Sequence, residues 1–157
     1  MLFALGLLLD LLTKSLAARK LKGQPSFTLI PGVLEFHYLE NHGAAFSIFE
    51  EHQTIFVVIA TAAIVLIAWI LIRTPASGRY RPFRLCLAAI ASGAAGNLAD
   101  RVSLGYVRDF IYISLIHFPV FNVADIFVTC AVVLLCILIL FQYKDEDLAF
   151  LMRRKSR

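Results

Sequence analysis

Long apolar runs separated by short polar connectors set the pattern of this chain. Residues 54–72 carry no charge at all, and residues 120–141 carry one, Asp125, close to their start. A helix needs about 20 apolar residues to cross a bilayer, so both runs are long enough. A further run over 1–21 is interrupted by Asp10 and Lys14. Another, over 84–99, is shorter and crowded with small residues around the sequence GAAG at 93–96. Small residues let helix backbones approach closely in lipid, which predicts that this helix lies at the centre of a bundle. The expectation is an all-α membrane protein of four transmembrane helices, a single integral membrane domain over 1–157 with a tail from 142 onward. The first run lacks a basic leading segment and carries charges in its middle and end, which argues against a cleavable signal peptide.

Between the runs, the pattern changes period. Residues 26–49, with FTLIPGVLEFHYLEN inside them, are rich in β-branched and aromatic residues, and Pro31-Gly32 marks a turn. They predict a short sheet on the outer membrane face, joined there by the β-like stretch VRDFIY at 107–112. Orientation follows from Lys and Arg in the connectors. Arg73, Arg79, Arg81, Arg84, Lys144, Arg153, Arg154, Lys155 and Arg157 fall on one side. Arg19, Lys20, Lys22, Arg101 and Arg108 fall on the other, so nine against five places both termini in the cytoplasm.

Composition agrees with a membrane class: 60% of the 157 residues are apolar and 17% charged, against about 45–50% and about 25% in soluble domains. The net charge of +4 forms no basic stripe with interleaved aromatics, so nucleic acid is not an expected partner. Cys86, Cys130 and Cys136 all lie in apolar runs and read as packing residues rather than as a disulfide framework.

Ionisable side chains inside spans cost about 2.5–3.5 kcal/mol each, so each calls for a reason. Asp10 and Lys14 stand four apart on one helix face, in the order that favours an ion pair. Asn97, Asp100 and Arg101 share one face at the outer end of the third run. Asp100 and Arg101, being adjacent, each require a partner elsewhere. Asn122 and Asp125 are spaced as the N-cap and N3 residues of a capping box. The same Asp125 falls at the membrane face where Asp109 sits, between Val107 and Phe110. Two carboxylates brought together there would share a proton, one acting as base and the other as acid. Cap and catalyst both stay open on spacing alone. NLAD at 97–100 is echoed by NVAD at 122–125.

Other chemistries are poorly supplied. His37, His42, His52 and His117 follow no metal-ligand spacing, so no metal is expected. Ser47 and Ser92 lack a nucleophile-elbow context. There is no phosphate-binding glycine loop, and no cofactor is expected. A small proton-coupled transporter, with Asp10, Asp100, Asp109 and Asp125 as a relay, is the alternative from another class. It predicts acids spread through the membrane depth, whereas most of these gather at one face.

Five blocks in order, DLLTK at 10–14, ENHGAAF at 40–46, GAAGNLADR at 93–101, GYVRDF at 105–110 and FNVAD at 121–125, together resemble the lipoprotein signal peptidase (signal peptidase II) family. The resemblance implies a four-helix core with a periplasmic β-cradle in the bacterial inner membrane. It implies an aspartic endopeptidase that cuts prolipoproteins just before a diacylglyceryl-modified cysteine; a monomer is the expected state. It assigns Asp109 and Asp125 as the catalytic pair and Asn41, Asn97, Arg101 and Asn122 as substrate-groove residues. Asp10, Lys14, Gly43 and Asp100 take supporting positions.

Overall fold

The computed structural model describes residues 1–43 and 53–151. Among them, four long helices, α1 (Leu2–Leu21), α2 (Gln53–Arg73), α3 (Arg81–Leu104) and α4 (Val123–Phe141), accompany a three-stranded sheet. A short α5 (Asp145–Leu148) follows α4. Residues 44–52 of the expected β-rich and loop region, with Ser47 and His52, lie outside the described residues, as do 152–157 with four of the nine counted basic residues.

The first helix is polar inside and apolar outside, the reverse of a helix in a soluble bundle. In α1 the buried residues are Gly6, Asp10, Lys14 and Ala17, a stripe at helical spacing, while Leu5, Leu8, Leu9, Leu12 and Leu16 face outward. α2 and α4 are long and apolar enough to cross a membrane, and Val58, Ile59, Val65, Leu134, Ile137 and Leu140 are all exposed on them. Apolar surface on this scale fits a lipid solvent, in which a helix keeps every backbone hydrogen bond internal. Cys86 belongs to the buried core, but Cys130 and Cys136 lie exposed on α4, which corrects the expectation that all three pack inside. An apolar run says nothing about which of its faces looks outward.

α3 packs against α1, α2 and α4, so the small-residue helix is central. A Cβ added at Gly93 would overlap the Ala124 carbonyl oxygen, and one at Gly96 would overlap the Asp10 carboxylate. These glycines set how closely α4 and α1 approach. At the end of the bundle near the 73–81 connection, Phe83, Tyr143 and Phe150 meet edge to face, and Tyr143 Oη donates to the Arg79 carbonyl at 2.8 Å.

The sheet lies at the opposite end. β1 (Phe27–Ile30) pairs antiparallel with β2 (Leu34–Asn41), which pairs antiparallel with β3 (Val107–Tyr112). Gly32 closes the first turn with φ +70°, a conformation glycine adopts without strain. α3 gives way to β3 through Gly105, whose φ of +80° ends the helix, its N–H donating to the Arg101 carbonyl at 3.1 Å. After β3 the chain turns through Ser114–Ile116 and returns, so that Phe121 bridges Ile111 immediately before α4 begins. That closed loop brings the start of α4 beside the middle of β3.

Candidate active site

Asp109 and Asp125 come from different elements yet line one cleft of about 290 Å³, with Asn41, Gly43, Asn97, Arg101 and Thr129. Val107 and the Phe118–Pro119–Val120–Phe121 turn supply its apolar wall. Register explains Asp109: it stands opposite Leu39, with Asn41 opposite Val107, so Asn41 and Asp109 are diagonal neighbours on one sheet face. Asn41 Nδ2 donates to Asp109 Oδ2 at 2.8 Å. Asp125 occupies the first turn of α4. The capping box is present: the Asp125 N–H donates to Asn122 Oδ1 at 3.1 Å and the Asn122 N–H donates to Asp125 Oδ2 at 3.0 Å. The cap and the cleft share this carboxylate, so the two readings of Asp125 are not exclusive.

Three asparagines fix the polarity of the site. An amide offers one oxygen acceptor and one NH2 donor group, so pinning either end decides the other. Asn97 Oδ1 accepts from Lys14 Nζ at 2.7 Å, and an ammonium can only donate; Asn97 Nδ2 therefore faces Asp125 Oδ1, at 2.8 Å. Asn122 Oδ1 is held by the Asp125 N–H, which leaves Nδ2 to donate to Asp109 Oδ1 at 2.6 Å and to Asn97 Oδ1 at 3.1 Å. Asn41 Oδ1 is held by the Gly43 N–H at 3.0 Å, which turns its Nδ2 toward Asp109. Each carboxylate thus receives two N–H donors, and Asn122 is wholly buried beneath them.

Asp109 is 2% exposed. Burial, and then the charge of Asp125, push its carboxyl from the ordinary 3.8 up to about 6, against the opposing pull of the Asn41 and Asn122 hydrogen bonds. The Asp109 carboxyl therefore keeps its proton to a higher pH than an ordinary aspartate does.

Behind the cleft lies a buried charge network. Lys14 Nζ is 2.8 Å from Asp10 Oδ2 and 3.7 Å from Asp100 Oδ2, and all three side chains are almost fully buried. Asp10 Oδ1 accepts the Ala124 N–H at 2.9 Å, tying α1 to the first turn of α4. Asp100 accepts from the Arg108 guanidinium at 2.6 Å and from the Arg108 N–H at 3.0 Å, which anchors β3 one residue before Asp109. Arg101 takes a different route. Its Nη2 donates to the Gly43 carbonyl at 3.3 Å, its guanidinium lies 4.9 Å above the Phe56 ring, and its buried Nε has no partner among the described residues.

Asn41, Gly43, Asn97, Arg101, Asp109 and Asp125 line the cleft, while Asn122, Asp10, Lys14 and Asp100 sit behind it. Arg108 and Thr129 were not singled out. Arg108 could have been found as the cation adjoining Asp109, and Thr129 as the polar residue one helical turn after Asp125. Ser92 is buried against Gly6, away from the cleft. Among the described residues, no three of His, Cys, Asp and Glu are grouped to hold a metal ion.

Comparison with solved structures defines the class first. A bacterial membrane enzyme solved by the in meso method at 2.3 Å superposes with a TM-score of 0.79 at 27% identity, covering 99% of this chain and 91% of that one. A second, solved at 1.9 Å, gives 0.78 at 30% identity, over 90% and 92%. The particular family follows from sequence. The family model described as signal peptidase (SPase) II matches residues 2–141. The lipoprotein signal peptidase of Clostridium tetani is 38% identical over 146 residues, 91% of this chain and 92% of its own. That of Streptococcus pyogenes serotype M5 is 41% identical over 118 residues, 75% and 74%. The chain belongs to the signal peptidase II family, a family of peptidases.

Proposed function

We propose that this chain is an aspartic endopeptidase that crosses the membrane four times and removes signal peptides from diacylglyceryl-modified prolipoproteins, cutting just before the lipidated cysteine. The observation that carries the reading is the pairing of Asp109 and Asp125 in one cleft, each braced by N–H donors, with the Asp109 carboxyl raised to about 6. In the proposed reaction Asp125 takes a proton from a water as that water attacks the scissile carbonyl carbon. Asp109, which retains its proton, donates it to the carbonyl oxygen. The tetrahedral intermediate then collapses: the C–N bond breaks, the proton on Asp125 passes to the leaving amine, and a hydroxyl proton returns to Asp109. No cofactor takes part.

The remaining residues have supporting roles in this account. Asn41 and Asn122 hold Asp109; Asn97, itself oriented by Lys14, holds Asp125. Arg101 and Thr129 face the peptide or its lipid. The 118–121 wall takes the apolar part of the substrate. The buried Asp10–Lys14–Asp100–Arg108 network locks β3, α1 and α4 in register. With Asp10 and Asp100 committed to Lys14 and Arg108, these acids do not favour a proton relay.

The membrane geometry of the proposal has α1 to α4 as the four spans, the sheet and cleft at the outer face of the bacterial inner membrane, and both termini in the cytoplasm. A diacylglyceryl group remaining in the bilayer would hold the adjacent peptide bond at the depth of the cleft, and positioning of this kind lowers barriers by several kcal/mol. The test compares purified protein acting on lipidated and unlipidated forms of one prolipoprotein, with and without EDTA. The lipidated form should be cut in both conditions. Equal rates for the two forms would overturn the specificity, and loss in EDTA restored by zinc would overturn the mechanism.

A further inference from the structure

Two apolar grooves lie outside the catalytic cleft, and both reach Arg81 at the opposite end of the bundle. The first, of about 740 Å³, runs along Phe3, Leu5, Leu71 and Ala88. The second, of about 600 Å³, runs between α3 and α4 along Cys86, Ala89, Phe127, Cys130 and Leu134. Leu2, Gly78, Arg81 and Leu85 border both, so Leu2 and Leu85 form a ridge with a groove on either side. Neighbouring cations are already engaged: Arg79 with Asp147 at 2.5 Å, and Arg84 with the Thr74 carbonyl at 3.0 Å. Arg81 is exposed and has no hydrogen-bond or ion-pair partner among the described residues. A Cβ on Gly78 would meet open space, so room remains beside the guanidinium.

The shape selects the occupant. A single helix or peptide could fill one groove but could not straddle the ridge into both. A molecule with two apolar tails diverging from one anionic head matches both grooves and the free cation together. We infer that this end of the bundle binds one anionic diacyl phospholipid, its phosphate on Arg81 and one acyl chain in each groove. Basic pockets between helices are suited to anionic headgroups, and each basic residue near the headgroups contributes about 1 kcal/mol. Such a lipid would tie α1, α3 and α4 together at the end remote from the sheet.

The test uses the purified full chain in detergent and counts retained lipid by native mass spectrometry, so it does not depend on the peptidase reading. The probes are dioleoylphosphatidylglycerol and dioleoylphosphatidylcholine. The wild type should retain one phosphatidylglycerol roughly five- to tenfold more tightly than phosphatidylcholine. Arg81→Gln should bring the two lipids level without shifting the thermal midpoint of the lipid-free protein, since the side chain has no partner among the described residues. Leu85→Trp, which crowds the mouth of both grooves, should weaken both lipids. Equal retention of the two lipids by the wild type, or an undiminished preference in Arg81→Gln, would overturn the headgroup assignment. Unchanged binding in Leu85→Trp would overturn the placement of the chains.

Discussion

Replacing Asp109 by asparagine separates catalysis from folding, because the structure predicts opposite signs for the two effects. The native carboxyl is raised from 3.8 to about 6, about 2 units at ~1.4 kcal/mol each, so its ionised form carries a cost of about 3 kcal/mol. The sign follows from linkage: the stability of the protonated group is fully present below pH 3.8 and is lost as pH rises through about 6. An asparagine never ionises and escapes that cost. It also puts an NH2 group against the Nδ2 of Asn41 or of Asn122, whose own oxygens are held by the Gly43 and Asp125 N–H groups. One buried donor is left unpaired, at about 1–3 kcal/mol. Asp109→Asn should therefore be about as stable as the wild type, or up to about 2 kcal/mol more stable, at pH 8. At pH 4 it should be about 1–3 kcal/mol less stable. Activity should fall by about 10²–10⁴-fold at every pH, the range expected for losing a positioned acid. Unfolding in detergent at the two pH values, with cleavage followed by gel, measures both. A stability difference that does not change with pH would refute the raised carboxyl, and near-native turnover would remove Asp109 from the mechanism.

The same carboxyl sets a pH profile: kcat/KM should decline above about pH 6, and the matching limb of kcat should lie higher because bound substrate excludes more water; a flat kcat/KM between pH 5 and 8 contradicts this. Lys14→Met leaves Asp10 with no cation and the Asn97 oxygen with only the Asn122 amide as donor, and should destabilise the protein by about 3–5 kcal/mol in detergent unfolding. Gly93→Ala forces a methyl against the Ala124 carbonyl and should cost about 1–3 kcal/mol by pushing α4 from α3; native stability would show that the helices have room to part. Reporter fusions placed after Arg79 and after Arg157 should both read as cytoplasmic, and an outside signal from either breaks the proposed topology.

Local spacing carried much of this site, and its long-range contacts carried the rest. The Asp10–Lys14 ion pair and the Asn122–Asp125 capping box follow from separations of four and three residues, distances at which a helix alone brings side chains together. The sheet was legible from the Pro31-Gly32 turn and its β-branched flanks. The partner of Asp100 was not, because Arg108 reaches it only after Gly105 reverses the chain. Nor could spacing reveal that Lys14 orients Asn97, two residues 83 positions apart. Hydropathy also understates α3, which runs from Arg81 to Leu104 beyond its apolar run. Asn97, Asp100 and Arg101 are accommodated there by partners on α1, α4 and β3 and at the Gly43 carbonyl.

The central claim is that Asp109 and Asp125 together cut a lipidated prolipoprotein. Its most direct test is mass spectrometry of the products formed by the purified protein in lipid bilayers, comparing the wild type with Asp125→Asn. The account predicts a single cut immediately before the lipidated cysteine for the wild type, and intact substrate after prolonged incubation with a folded Asp125→Asn protein. The same product from the variant, or a wild-type cut at another bond, would contradict it.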